Sequence, residues 1–328
     1  MKQKVYLRAD ASASIGYGHF IRTLALADML KDDFDCTFFT QSPSDYQQKE
    51  AEKVCPFVSL PSDDSKFDKF LEYLTGEEIV VLDNYFFTTK YQQQIKHIGC
   101  KLVCLDGMMT KHYVSDILIN QSLGVTRADF SIEEFTILNT GLQYALLRKP
   151  FLDKCNMSKK TIKQPYHVVI CFGGADKFKL TDKVVSALHN LTCIDKITAI
   201  VGDAYSGTIQ KQNIEYKKNL SAEEMSDVLY NADIAILPSS TVLKEALACK
   251  TFIISGYFVD NQIQTYKAYS KNNLICGVGD FTAPNSMEKL ADIICSEKFI
   301  STTPENSKID GDIPQRYIKM FRDLTLCR

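Results

Sequence analysis

Along the chain, short runs of apolar, often β-branched residues alternate with segments whose apolar positions recur every three or four residues. The run KVYLRAD (Lys4–Asp10) predicts a buried strand, and Phe20, Ile21, Leu24, Leu26, Ala27 and Leu30 share the apolar face of a helix after it. CTFFTQ (Cys36–Gln41) predicts a second strand, KFDKFLEYL (Lys66–Leu74) a helix and EIVVLDNY (Glu78–Tyr85) a further strand. TTKYQQQIKHIG (Thr88–Gly99) reads as a helix closed by glycine, and the strand-like runs KLVCLDG and DILINQS complete this half. Strands with so little charge, separated by amphipathic helices, point to a parallel sheet covered on both faces.

The alternation pauses between Gly141 and Pro165. There LLRKPFLDKCNMSKKTIKQP is basic, holds two prolines and lacks sustained periodicity, so it predicts a linker. The expected domains are 1–156 and 157–328. The pattern then restarts with the strand HVVICFGGAD (His167–Asp176), the helix LTDKVVSALHNL and the strand KITAIVGDA. SAEEMSDVLYNA (Ser221–Ala232) carries the Ser–x–x–Glu of a capping box. DIAILPSS, TVLKEALAC and TFIISGYF continue as strand, helix and strand. Helical patterns near the end, SMEKLADIIC and PQRYIKMFRDL, can pack back on either half. The expected fold class is α/β, with two Rossmann-like, doubly wound domains facing across a cleft. Ligands of such sheets bind at the carboxyl ends of the strands, so the loops just after strands are the places to look for chemistry.

Composition changes this picture little. A chain of 328 residues exceeds the usual size of one core, and 45% hydrophobic with 24% charged residues is ordinary for a globular protein. A net charge of −2 gives no general electrostatic reason to expect nucleic acid or membrane insertion. Lys2-Gln3-Lys4 leads into an apolar strand and is unlike a secretory leader, and no apolar run reaches the roughly 18 residues of a membrane span. The eleven cysteines sit mostly alone in apolar runs, such as Cys36, Cys104, Cys171 and Cys249, with no CxxC pair. The five histidines have no metal-type spacing. Reduced structural thiols, a cytoplasmic location, and neither metal nor cofactor are therefore expected.

Three loops carry candidate chemistry. ASASIGYGH (Ala11–His19) presses Gly16 and Gly18 against His19 at a helix start, with Arg22 one turn on, and makes Gly16, Gly18 and Arg22 candidates for binding substrate. This departs from the G-x-G-x-x-G dinucleotide pattern, and no acidic residue ends the second strand to hold a ribose. The glycines allow close backbone approach at a helix N-terminus, which favours negative charge and disfavours an imidazolium, so His19 is either a general base or a packing group. CFGGADKF places Gly173 and Gly174 in a turn whose amides can face a ligand. ILPSSTVLKEALA supplies Ser239, Ser240 and Thr241 at a strand–helix junction suited to a diphosphate, with Glu245 one turn in. Two strand ends add Asp83, Asn84 and Tyr85, and Asp260, Asn261 and Gln262; simple strand-end polarity explains either group equally well. His97, His112 and His189 read as surface or packing residues.

RADASASIGYGHFIRTLALA (Arg8–Ala27) resembles the N-terminal signature of the nucleotide-sugar hydrolases of pseudaminic acid biosynthesis, relatives of the GT-B glycosyltransferases of the MurG type. VLDNY, GLQYALLR, CFGGAD, LPSSTVLKEAL and DNQ follow in that family's order. The resemblance implies the GT-B fold and hydrolysis of a UDP-linked 6-deoxy diacetamido sugar, with a UDP-sugar as the small-molecule partner. It puts the catalytic histidine on His19 and active-site residues on Tyr85 and Asn261. It implies that Glu245 holds the uridine ribose and that Ser239 and Ser240 lie by the diphosphate. Asp10 is the weaker candidate for orienting the imidazole. One departure is that only Asp106 precedes Gly107-Met108-Met109, where many relatives carry paired acids. A glycosyltransferase using His19 on an acceptor hydroxyl and a non-catalytic nucleotide-sugar binder are the alternative readings.

Overall fold

The computed structural model of the chain describes residues 2–12, 17–105, 108–158, 161–173, 176–202, 205 and 213–326. Gly16, Gly174 and Asp106 lie outside the described residues. The chain divides into two compact units, one of residues 1–149 with 312–328 and one of 150–311. The division thus falls earlier than Asn156, and the last residues join the first unit.

Unit 1 holds a seven-stranded sheet. Its strands are β1 (Lys4–Arg8), β2 (Asp35–Gln41), β3 (Phe57–Leu60), β4 (Ile79–Leu82), β5 (Lys101–Leu105), β7 (Ile117–Asn120) and β9 (Ile137–Thr140), in the order β3-β2-β1-β4-β5-β7-β9. Every pairing is parallel. The two short strands β6 (His112–Tyr113) and β8 (Ser131–Ile132) pair separately. Helices α1 (Gly18–Leu30), α2 (Asp45–Glu52), α3 (Ser65–Leu71) and α4 (Thr89–Ile98) fill the crossovers. Central strands such as β4 are buried at every residue, which is why they read as continuous apolar runs instead of alternating ones. Local chemistry sets the helix ends. Ser44 and Gln47 form a reciprocal capping box on α2, the Thr88 hydroxyl accepts from the Tyr91 N–H on α4, and Gly99 ends α4 in the left-handed region at φ 111°. A C-terminal helix, Ile313–Leu326, closes the unit. Its Tyr317 hydroxyl donates to the Tyr144 carbonyl at 2.6 Å, Phe321 meets Phe34 edge-on, and Arg322 pairs with Asp33.

Unit 2 repeats the plan. Strands β10 (Tyr166–Cys171), β11 (Ile194–Val201), β12 (Ile214–Lys218), β13 (Ile234–Pro238), β14 (Phe252–Tyr257) and β15 (Cys276–Asp280) are all parallel, in the order β12-β11-β10-β13-β14-β15. This is the 3-2-1-4-5-6 order of the dinucleotide-binding fold. The helices are α5 (Lys149–Cys155), α6 (Leu180–Leu188), α7 (Ala222–Asn231), α8 (Val242–Ala248), α9 (Ile263–Lys271) and α10 (Ser286–Cys295). The expected linker is therefore partly helical, because Phe151, Leu152 and Cys155 fall on one buried face and Pro150 suits a first turn. The Ser221–Glu224 capping box starts α7. Among the described residues, no helix is long and apolar enough to cross a membrane.

Candidate active site

In unit 1, β1 and β4 are neighbours in parallel register, with Arg8 opposite Leu82. Their carboxyl ends therefore bring the residues after each strand together. The Asn84 side chain ties the two exits. Its Oδ1 accepts from the Asp10 N–H at 2.7 Å and its Nδ2 donates to the Asp10 carbonyl at 3.1 Å, continuing the ladder with a side chain. Asp83, whose own N–H donates to the Arg8 carbonyl at 3.0 Å, is fully buried and turned toward α1.

His19 is the second residue of α1 and is 8% exposed. Its Nδ1 lies 2.7 Å from Asp83 Oδ1. Arg22 Nε donates to Asp83 Oδ2 at 2.5 Å, Arg22 Nη2 also bonds Asp83 Oδ1, and the Thr23 hydroxyl donates to Oδ2 at 2.9 Å. Burial alone raises the Asp83 carboxyl. The Arg22 charge and hydrogen bonds, followed by those of His19, outweigh it and hold Asp83 below the ordinary range. An ionised carboxylate only accepts, so the hydrogen-bond network assigns the His19 proton to Nδ1 and leaves Nε2 as the acceptor nitrogen of the ring. Arg22 Nη2 also lies 3.2 Å from Nδ1. The half-exposed Tyr85 ring stands edge-on to the imidazole, with centroids 4.6 Å apart. A buried carboxylate, an imidazole and a phenol thus meet at one strand end. A hydrogen-bonded Asp–His pair of this kind is suited to general-base catalysis.

This geometry corrects the expectation for Asp10. Its fully buried carboxylate accepts from the Gln41 N–H at 2.9 Å and lies 3.6 Å from Lys66 Nζ, so it ties β1 to β2. The imidazole is oriented by Asp83, which sequence reasoning left among strand-end polar residues. The signal that pointed to it was its place directly after an apolar strand and two residues before Tyr85. Arg22, expected at the substrate, spends its guanidinium on Asp83. Gly18 opens α1, and among the described residues no heavy atom lies within 4 Å of where a Cβ would stand.

The unit 2 candidates divide. Gly173 has φ 83°, a left-handed conformation that calls for glycine although, among the described residues, a Cβ there would meet nothing within 4 Å. Asp176 of the same loop caps α6, its carboxylate accepting from the Leu180 and Thr181 N–H groups at 2.8 and 2.9 Å. Ser239 is a second correction. It is 1% exposed, its N–H donates to the Gly256 carbonyl and its hydroxyl pairs with Ser255 at 2.9 Å, so its side chain faces the sheet instead of standing open in the loop. The inward turn follows from Ser239 continuing the β13–β14 ladder. Thr241 is exposed and Ser240 half-buried beside the first turn of α8. The Cys171 thiol is raised first by burial; the Gly173 N–H opposes this, and the carboxylates of Glu245 and Asp176 add to it. Glu245 is therefore within electrostatic reach of the β10 exit. Asn261 is exposed in the turn Asp260–Gln262, which the Gln262 side chain fixes by accepting from the Phe258 N–H at 3.1 Å. Among the described residues, no group of three or more His, Cys, Asp and Glu is arranged to hold a metal ion.

Solved structures place this architecture in a class. MurG of Acinetobacter baumannii matches with a TM-score of 0.63 at 10% identity, covering 98% of this chain and 99% of that one. UGT89C1 of Arabidopsis thaliana complexed with UDP matches at 0.67 and 11%, covering 99% of this chain and 100% of that one. The chain has the GT-B fold, two Rossmann-like α/β units in one polypeptide. In sequence it resembles the UDP-2,4-diacetamido-2,4,6-trideoxy-β-L-altropyranose hydrolase of Campylobacter jejuni, being 25% identical over 277 residues, 80% of this chain and 94% of that protein. It is 23% identical over 290 residues to the spore coat polysaccharide biosynthesis protein SpsG of Bacillus subtilis, 83% of this chain and 82% of that protein. It is also 25% identical over 284 residues to an uncharacterised protein of Methanocaldococcus jannaschii, where the match takes in 82% of this chain but spans 58% of the relative's length. No protein-family model matches the chain.

Proposed function

We propose that this protein is a metal-independent hydrolase that cleaves a UDP-linked 6-deoxy diacetamido sugar, UDP-2,4-diacetamido-2,4,6-trideoxy-β-L-altropyranose, to the free sugar and UDP in pseudaminic acid biosynthesis. The observation that carries the reading is the buried Asp83–His19 pair at 2.7 Å, set beside Tyr85 in a chain that resembles the Campylobacter hydrolase along most of both lengths. His19 Nε2 takes a proton from water as the water oxygen bonds to the anomeric carbon and the bond from that carbon to UDP breaks. Attack from the face opposite UDP inverts the anomeric centre. The imidazolium formed is stabilised by the Asp83 carboxylate. UDP departs as an anion and needs no protonating carboxyl; Ser240, Thr241 and the amides of Gly173 and the first turn of α8 receive its diphosphate, and Glu245 its ribose. Tyr85 and Asn261 orient the sugar.

The rival reading is transfer of the sugar to an acceptor hydroxyl deprotonated by His19, favoured by glycosyltransferase neighbours such as that of kitacinnamycin. The two separate when UDP-linked diacetamido sugars are incubated with the protein and no acceptor, followed by phosphorus and proton NMR. Stoichiometric UDP and free sugar of inverted configuration supports hydrolysis. No release without an acceptor refutes it, and an anomeric mixture at the earliest times, with mutarotation excluded, refutes inversion. His19→Ala must lose turnover while still binding the UDP-sugar; unchanged turnover removes the base from His19.

A further inference from the structure

Two thiols of unit 2, far apart in sequence, lie close to each other. Cys193, 9% exposed, lies in the turn that enters β11, and Cys295 is the exposed last residue of α10. Their sulfurs are 3.9 Å apart across 102 residues of sequence. A disulfide needs about 2.05 Å, so closing the pair takes roughly 2 Å of sulfur travel, which rotation of the exposed Cys295 side chain supplies. Both backbones are anchored where the cross-link would form. The Cys193 carbonyl accepts from the Tyr166 N–H at 2.8 Å, and the Tyr166 ring packs edge-on against Phe299, four residues beyond Cys295. The site sits at the amino ends of β10 and β11, at the opposite edge of the sheet from Gly173, Ser240 and Asn261.

We propose that Cys193 and Cys295 form a reversible disulfide under oxidising conditions, a staple that fastens the end of α10 to the entry of β11. The oxidant is a small disulfide such as oxidised glutathione. The exposed Cys295 thiolate attacks one glutathione sulfur, breaking that S–S bond and releasing glutathione thiolate. The Cys193 thiolate then attacks Cys295 Sγ, forming the Cys193–Cys295 bond and releasing the second glutathione. The pair loses two electrons and two protons, and the glutathione disulfide is reduced to two thiols. Burial, followed by the shared S–H contact with Cys295, raises the Cys193 thiol, so closure is slow near neutrality and quickens as pH rises. Because the loop closed is long, the bond mainly restricts the unfolded chain and makes unit 2 harder to unfold.

The test holds the full chain in oxidised glutathione under native conditions, blocks the remaining thiols, and maps peptides by mass spectrometry. In parallel, pulse proteolysis across a urea series follows peptides from residues 150–311. The expected result is one Cys193–Cys295 cross-linked peptide, together with a higher urea midpoint for unit 2. Dithiothreitol should reverse both, and Cys193→Ser and Cys295→Ser should each abolish both. A stable glutathione adduct on Cys295 without the cross-link, oxidation that pairs other cysteines instead, or a cross-link that leaves the midpoint unmoved overturns the proposal.

Discussion

Replacing Asp83 by asparagine keeps the side-chain shape and removes one buried charge, so it isolates what that charge does for His19. Asp83 Oδ1 is 2.7 Å from His19 Nδ1, but the charge of an imidazolium spreads over the ring, about 4 Å from the carboxylate on average. At an effective dielectric of about 20 that separation is worth about 4 kcal/mol. Arg22 already neutralises part of the carboxylate, which halves the lower bound to about 2 kcal/mol. If His19 gains a full proton in the transition state, Asp83→Asn should lower kcat by about 30- to 1000-fold. KM should change little, because the charge acts on the transition state and touches no substrate. The substitution also leaves Arg22 without its anion; since the Arg22 side chain keeps 23% of its surface in solvent, the stability loss should be near the lower end of the usual range, about 3 kcal/mol. The assay is steady-state UDP release by a variant shown to be folded by thermal denaturation. A folded Asp83→Asn protein within about threefold of the parent kcat, under 1 kcal/mol, would refute the assignment of Asp83 as the partner of a working base.

The depressed Asp83 carboxyl makes unit 1 acid-labile. Its contribution is fully present above the unfolded aspartate value of about 3.9 and is lost as pH falls through the lower folded value, so acid unfolding should steepen below about pH 4 and flatten in Asp83→Asn. Arg8 is fully buried among the rings of Phe67, Phe70, Phe87 and Tyr91, each 5.0–5.6 Å from its guanidinium carbon, and bonds the Tyr91 hydroxyl at 2.6 Å. Arg8→Ala should cost about 3–5 kcal/mol by urea denaturation, through the lost cation–π contacts, the cavity and the removal of one of the two cations beside Asp10, Arg8 at 4.0 Å and Lys66 at 3.6 Å; a cost under about 1 kcal/mol would count against the cage. Burial pushes the Cys36 and Cys55 thiols up to about 12, so native iodoacetamide at pH 8 should leave both unmodified while labelling the exposed Cys295. Early alkylation of Cys36 would contradict its packing. Ser255→Ala should leave the buried Ser239 hydroxyl unpaired and destabilise unit 2 by about 1–3 kcal/mol, with UDP binding unchanged by calorimetry.

The legible features were the ones whose causes are local. Apolar runs such as Ile79–Leu82 announce strands buried on both faces, and the Ser–x–x–Glu of Ser221 and the glycine after Ile98 mark helix ends within one turn. Strands without that signal were missed. β15 reads CGVGD, where two glycines hide the apolar pattern, and β12 reads IEYKK, an edge strand with charges on its length. Helix α5 was concealed by its proline and lysines, although three buried side chains secure it.

By itself, the sequence determined two successive α/β sheets, the loops on which polar residues collect and the placing of His19 at a helix start, because periodicity and capping act over a few residues. Partnership was decided only in three dimensions. Asp83 meets His19 across 64 residues because β1 and β4 lie side by side, while Asp10, nearer in sequence, is drawn to β2. Ser239 turns inward because the ladder between β13 and β14 extends one residue past the strand. Cys193 and Cys295 approach only because α10 returns to the entry of β11. Sheet order and register are fixed by the burial of whole faces, and no local pattern of residues carries that information.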